Sequence, residues 1–234
     1  MQKEKLTNNL NQVKKNIKKA AAKAGRDFRE IKLLAVSKNQ DIDAIKILAE
    51  AGVKFFGENR VQELEEKNEK LLAENIELDW HFIGHLQRNK VKYLMRMENC
   101  RMIESIDSFR LAKEVNKRAK KNGRKIPVLI EINIAGDENK FGITPDKAKE
   151  FLQEINNFDY LKVEGLMTVL PYLDDSEELR SYFKGMKKLF DQLSKEVIPL
   201  SELSMGMTND YQIAVEEGAT IVRVGTAIFG EREY

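Results

Sequence analysis

Residues 31–52 read IKLLAVSKNQDIDAIKILAEAG, an apolar run that breaks at Ser37-Lys38-Asn39 and gives way to a segment with apolar groups at helical spacing. The spacing predicts one strand over 31–37 and one helix over 41–51. The same unit then recurs to the end of the chain. Strand candidates follow at 53–56, 79–83, 101–105, 127–134, 161–167, 201–205 and 220–224. Helical stretches separate them at 59–74, 88–97, 108–122, 145–156, 175–195 and 209–217, and a short helix opens near Thr226. A strand-then-helix unit repeated eight times in 234 residues, close to the ~250 typical of such folds, predicts a single (β/α)8 TIM barrel. A doubly wound open sheet is the alternative. It rarely repeats so evenly, and no glycine-rich turn follows the first strand.

An extra helix over 3–25 precedes the barrel, with Leu6, Leu10, Val13 and Ile17 on one face. The lysines on its other face lack interleaved aromatics and read as a solvated surface, not a nucleic-acid patch. No low-complexity linker interrupts the series, and all four prolines sit at element edges, so one domain over 1–234 is expected. Forty basic side chains against 38 acidic ones leave no global field that would argue for nucleic acid or an acidic membrane. No run approaches a membrane span and the amino terminus lacks an apolar signal core, so a cytoplasmic protein is expected. The single cysteine, Cys100, cannot form an internal disulfide and reads as a buried thiol.

A parallel barrel places its chemistry at the carboxyl ends of its strands. Lys38 stands there after the first strand, on the face of Leu34 and Val36, where desolvation would make its amine a better nucleophile. Gly57-Glu58-Asn59-Arg60 follows the second strand and would aim polar groups at the mouth. The seventh strand runs into Ser204-Met205-Gly206-Met207-Thr208 and the eighth into Gly225-Thr226, two turns that expose N–H groups and hydroxyls before helices. Turns at those positions hold phosphate in many barrels. Arg223 alternates with Val222 and Val224, which commits a cation to the barrel interior, where it needs a partner. Strand-end carboxylates such as Glu131 and Glu164 are candidates, as is the ring nitrogen of a bound heterocycle. A reactive lysine, a phosphate cup and an arginine at one mouth fit pyridoxal 5′-phosphate. His81 and His85 straddle a strand and its loop, which suits packing and not a metal pair, so no metal is expected.

Ala35-Val36-Ser37-Lys38, Phe56-Gly57-Glu58-Asn59, Trp80-His81-Phe82-Ile83-Gly84-His85-Leu86-Gln87, Ser204-Met205-Gly206-Met207 and Arg223-Val224-Gly225 together resemble the motif series of the YggS/PROSC family, the pyridoxal phosphate homeostasis proteins. The resemblance spans nearly the whole chain. It implies a barrel similar to the amino-terminal domain of alanine racemase, in which Lys38 is the aldimine lysine. Ser204, Gly206, Thr208, Gly225 and Thr226 would hold the phosphate, with Thr208 standing where the family more often has serine. Arg223 would face the pyridine nitrogen, and Asn59 would lie near the ring. Lys140 matches a family lysine and is a secondary candidate.

The resemblance also bears on turnover. An arginine beside the ring nitrogen weakens the electron sink, and a racemase needs a second base opposite Lys38. In alanine racemase that base is a tyrosine from the partner's second domain, for which this chain, ending at Tyr234, leaves no room; Tyr172 is the one tyrosine near the mouth. A monomeric carrier that holds the cofactor as a lysine Schiff base and delivers it through transient contacts with cofactor-dependent apo-enzymes is therefore expected, with no catalytic residue assigned. An amino-acid racemase and an aldolase-like barrel are the alternatives.

Overall fold

In the computed structural model the described residues are 2–171 and 175–230. Eight parallel strands close on themselves in sequence order: β1 (Lys32–Val36), β2 (Phe55–Glu58), β3 (Asp79–Phe82), β4 (Cys100–Ile106), β5 (Ile126–Glu131), β6 (Leu161–Met167), β7 (Glu202–Ser204) and β8 (Ile221–Val224). Closure pairs the first strand with the last, Leu34 opposite Arg223 and Ala35 opposite Val224. The open-sheet alternative is thereby excluded. Helices α1 (Gln2–Lys23), α2 (Ile42–Glu50), α3 (Val61–Ala73), α4 (Val91–Leu94), α5 (Phe109–Lys121), α6 (Ala148–Ile155), α7 (Ser176–Glu196), α8 (Tyr211–Glu216) and α9 (Thr226–Phe229) form the outer ring. None of the described helices is long and apolar enough to cross a membrane.

Helix boundaries follow the local chemistry. Asp41 and Ser108 accept hydrogen bonds from Ala44 N–H and Leu111 N–H and so cap α2 and α5. Gly123 and Gly218 stand after α5 and α8 with φ of 64° and 105°, a left-handed conformation that favours glycine.

Strand alternation sorts the apolar side chains into two shells. Leu34, Met102, Leu129, Met167 and Ile221 fill the barrel interior with Phe55 and Ile83, while Ala35, Phe56, Trp80, Ile103, Val222 and Val224 face the helices. Each fully buried large side chain contributes roughly 1.5–3 kcal/mol. Below the inner apolar layer, Lys32 pairs with Glu202, which also accepts from Thr220 Oγ1 at 2.9 Å. Above it lies a polar layer that includes Arg223, Ser204, Glu104 and His81.

Several boundaries differ from expectation, and three of them change the reading of a segment. The second strand begins at Phe55 and runs through Glu58, so Gly57 and Glu58 belong to the sheet and not to a loop. The fifth ends at Glu131 instead of 134, because Ile132 leaves the sheet to bridge Ile143 across a loop. The helix expected over 88–97 is a 3-10 turn, Arg88–Lys90, followed by the single turn of α4. Helix α1 packs on α2, α8 and α9, with Asn16 Nδ2 donating to the Tyr211 hydroxyl at 3.0 Å and Asn9 Nδ2 to Ile228 C=O at 3.0 Å. Cys100 is buried, and burial pushes its thiol up to about 12, consistent with an inert core residue.

Candidate functional site

A cavity of about 400 Å³ opens at the carboxyl ends of the strands. Lys38, Asn59, Thr208, Arg223, Gly225 and Thr226 all line it, together with Asp210 and an apolar wall formed in part by Val36, Ile83, Leu170 and Met207. A mainly apolar wall with a few convergent polar groups, at this size, is the composition of a small-molecule site. A wider groove of about 940 Å³ runs beside α5, lined by residues such as His85, Arg88, Arg110 and Lys113, and contains none of those six residues. Chemistry, not size, distinguishes the two.

Lys38 follows β1 by two residues and its side chain is exposed at the mouth. The dry surroundings expected for it are therefore absent. Its approach to the cavity comes from the backbone: Leu34 and Val36 point inward, and the same parity carries Lys38 over the rim.

Arg223 is 3 % exposed and enters the cavity from below. Its Nη1 donates to Ser204 Oγ at 2.6 Å and its Nη2 to Thr168 C=O at 2.6 Å. Ser204 Oγ in turn donates to Glu104 Oε2 at 2.6 Å, and Glu104 Oε1 lies 2.6 Å from His81 Nδ1. Neither carboxylate that stood as a candidate partner of Arg223 forms a salt bridge with it. Glu164 pairs with Lys162 at 2.6 Å, and Glu131 makes no salt bridge with Arg223, whose nearest carboxylate is Glu104 at 3.9 Å. Burial pulls the Arg223 guanidinium below its usual value, opposed by the charges of Glu104, Asp210 and Glu131. Burial would raise the Glu104 carboxyl, but the hydrogen bond and charge of His81, the Arg223 charge and the Ser204 hydroxyl hold it below the usual carboxylate range.

The two turns after β7 and β8 meet across the cavity. Thr208 Oγ1 accepts from Ala227 N–H at 3.3 Å, which ties one turn to the other. The amides of Thr208, Asn209 and Thr226 make no backbone hydrogen bond among the described residues. Helices α8 and α9 are six and four residues long, so a macrodipole adds little and any anion here would be held by N–H and O–H groups directly. Asp210 accepts from Met207 N–H at 2.5 Å, and burial raises its carboxyl despite that bond and Arg223.

Some expected residues are not brought to the cavity. Ser204 is fully buried and its hydroxyl is committed to Arg223 and Glu104. Gly206 lies behind the turn at φ 91°, where a Cβ would stand 2.5 Å from Ala214 Cβ. Lys140 is half-buried in the loop after β5 and is not among the lining residues. Glu58 points away from the mouth and under α3, bonded to Lys67 and Ser37. His81 belongs to the buried network, whereas His85 lies 2.9 Å from Asp107 Oδ2 and stacks on Phe141. No group of three or more possible metal ligands occurs among the described residues. Tyr172 and Tyr234 lie outside the described residues. Glu104, Thr168 and Asp210 were not expected; an acidic residue at an inward strand position, as in Met102-Ile103-Glu104, was the available signal for the first.

Residues 8–233 match the family described as Alanine racemase, N-terminal domain. A pyridoxal phosphate homeostasis protein from Aquifex aeolicus (strain VF5) is 46% identical over 226 residues, covering 96% of this chain and 97% of that one. A pyridoxal phosphate homeostasis protein from Homo sapiens is 40% identical, covering 96% and 86% respectively. Among solved structures, PipY of Synechococcus elongatus PCC7942 with PLP bound superposes with a TM-score of 0.80 at 32% identity, covering 92% of this chain and all of that one.

Proposed function

This chain belongs to the pyridoxal phosphate homeostasis proteins of the alanine racemase N-terminal domain family, and on that premise we propose that it binds pyridoxal 5′-phosphate and holds it for delivery. The observation that carries the reading is the meeting of Lys38, Arg223 and the Thr208 and Gly225-Thr226 turns in one cavity. The donor set fits the group in kind: a primary amine for an aldehyde, a guanidinium for a ring nitrogen, and amides with hydroxyls for a phosphate. When bound, the cofactor supplies an aldehyde with which an amine condenses.

The chain's own residues divide the remaining work. Lys38 is the covalent anchor, and its exposed position leaves the linkage open to water and to competing amines, which suits release. Arg223 is held by Ser204 and Thr168 C=O, so its orientation is fixed before a ligand arrives. Thr208, Gly225 and Thr226 would hold the phosphate, and Asn59 would contact the ring. Lys140 is reserved for a secondary contact outside the cavity. The reading of little or no turnover is supported by the titratable groups that line the cavity. Among the described residues these are Lys38, Arg223 and Asp210, and the last is engaged by Met207 N–H.

The chain acts in the cytoplasm as a single-domain monomer with no need of nucleic acid or membrane, and meets apo-enzymes transiently. Following α-proton exchange of an amino acid in deuterated water separates this reading from a racemase. Exchange at enzyme-like rates would overturn it.

A further inference from the structure

Lys38 is the second residue of a turn closed by Gln40 N–H donating to Ser37 C=O at 3.0 Å, with Asn39 in the left-handed region at φ 58°. Side chains from β2 and α3 grip that turn on both sides of the lysine. Lys67 Nζ donates to Ser37 C=O at 2.6 Å, to Glu58 Oε1 at 2.7 Å and to Glu63 Oε1 at 2.7 Å. Those three acceptors match the three donors of an ammonium. Ser37 Oγ donates to Glu58 Oε1 at 2.8 Å, and Asn39 N–H donates to Glu63 Oε1. The circuit therefore runs from the residue before Lys38, through a buried ammonium and two carboxylates, to the residue after it.

This arrangement is an expensive way to hold a loop. Lys67 is 6 % exposed and Glu58 is 0 %, and Glu58 Oε2 has no hydrogen-bond partner among the described residues. Burial raises the Glu58 carboxyl, with Lys67 and Ser37 opposing. A buried ion pair adds little net stability compared with apolar residues of the same volume. What this pair does supply is direction, because its hydrogen bonds end on the main chain flanking Lys38.

We infer that Lys67, acting with Glu58 and Glu63, is a positioning residue that fixes the backbone of Lys38, so that an otherwise exposed, flexible amine meets its ligand from one place. The inference rests on the reading that Lys38 anchors pyridoxal 5′-phosphate. The clamp itself has a consequence that needs no cofactor: the Asn39 amide is protected only while Glu63 is held.

The test uses the intact chain and Lys67→Met, with Lys67→Met/Glu58→Gln as the variant that leaves no unpaired charge at the fully buried position 58 if the single change does not fold. Hydrogen exchange at the Asn39 amide is expected to quicken by about tenfold or more, the scale of one lost charge-assisted hydrogen bond. Amides of β5 serve as the reference, so a general loss of stability is not mistaken for loss of the clamp. With pyridoxal 5′-phosphate added, the visible circular dichroism per bound cofactor is expected to fall, because that signal reports a fixed orientation. Glu63→Gln, which keeps an acceptor for Asn39 N–H, is expected to retain both signals, whereas Glu63→Ala loses them. Unchanged Asn39 exchange relative to β5, or unchanged dichroism per bound cofactor, overturns the inference. If the wild-type protein yields no pyridoxyl adduct on Lys38 after borohydride reduction, the cofactor reading fails, and the Asn39 exchange alone still decides the clamp.

Discussion

Ser204 Oγ sits between Arg223 Nη1 and Glu104 Oε2, 2.6 Å from each, so one hydroxyl joins a buried cation to a buried anion. Removing it in Ser204→Ala leaves both charges short of a partner and is expected to lower stability by about 1–3 kcal/mol. Ligand binding separates this role from that of a phosphate ligand. Ser204→Ala should weaken pyridoxal and pyridoxal 5′-phosphate by the same factor, read by fluorescence titration, whereas Thr226→Ala should weaken only the phosphorylated form.

Lys38→Ala should abolish the pyridoxyl adduct that borohydride leaves on the wild-type chain, as mapped by peptide mass. The side chain is exposed and makes no salt bridge among the described residues, so thermal stability should change by no more than ~0.5 kcal/mol. An adduct on another lysine in the variant would move the anchor elsewhere.

Glu131 supplies a pH signature. Burial, followed by the charge of Asp107 and against that of Arg223, raises its carboxyl to about 7. The folded state therefore holds this proton more tightly than the unfolded chain does. The stabilising contribution is complete below the unfolded value, is lost as pH rises toward 7, and is absent above it. Glu131→Gln, which keeps a neutral side chain at every pH, should raise stability by on the order of 2–3 kcal/mol at pH ~8 and by little at pH ~4. Denaturant midpoints at the two pH values check the sign.

Gly206→Ala should destabilise the turn after β7 by about 2 kcal/mol or more, since strain at positive φ adds to the contact with Ala214 Cβ at 2.5 Å. Gly25→Ala, where φ is 67° but nothing lies within 4 Å of the new Cβ, should cost only about 1 kcal/mol. Equal losses at the two positions would mean that packing behind the phosphate turn is not what requires Gly206.

Periodicity carried the barrel because each strand must bury one face inside and one against helices, and that demand is written into residues such as Leu34 and Ala35. It also placed Lys38, Asn59, Thr208, Arg223, Gly225 and Thr226 at one end. Parity alone could not show that Ser204 is spent on Arg223, because its partner Glu104 lies 100 residues earlier in the chain and the pair meets only when the barrel closes. Glu58 was misplaced for a related reason. A strand that extends two residues further than expected turns that carboxylate beneath α3, where Lys67 meets it. The grip on Lys38 is likewise tertiary and left no local pattern to read.

Helix α1 is made well before the elements it is bonded to, through Asn16 to Tyr211 of α8 and Asn9 to Ile228 of α9. Strand β1 waits in the same way for β8. During synthesis the rim that carries Lys38 therefore exists long before the turns that face it, and contacts of such long sequence separation are slow to form. Ligand capture thus becomes a report of completion: a chain interrupted before residue 221 has its lysine and no cavity to place it in.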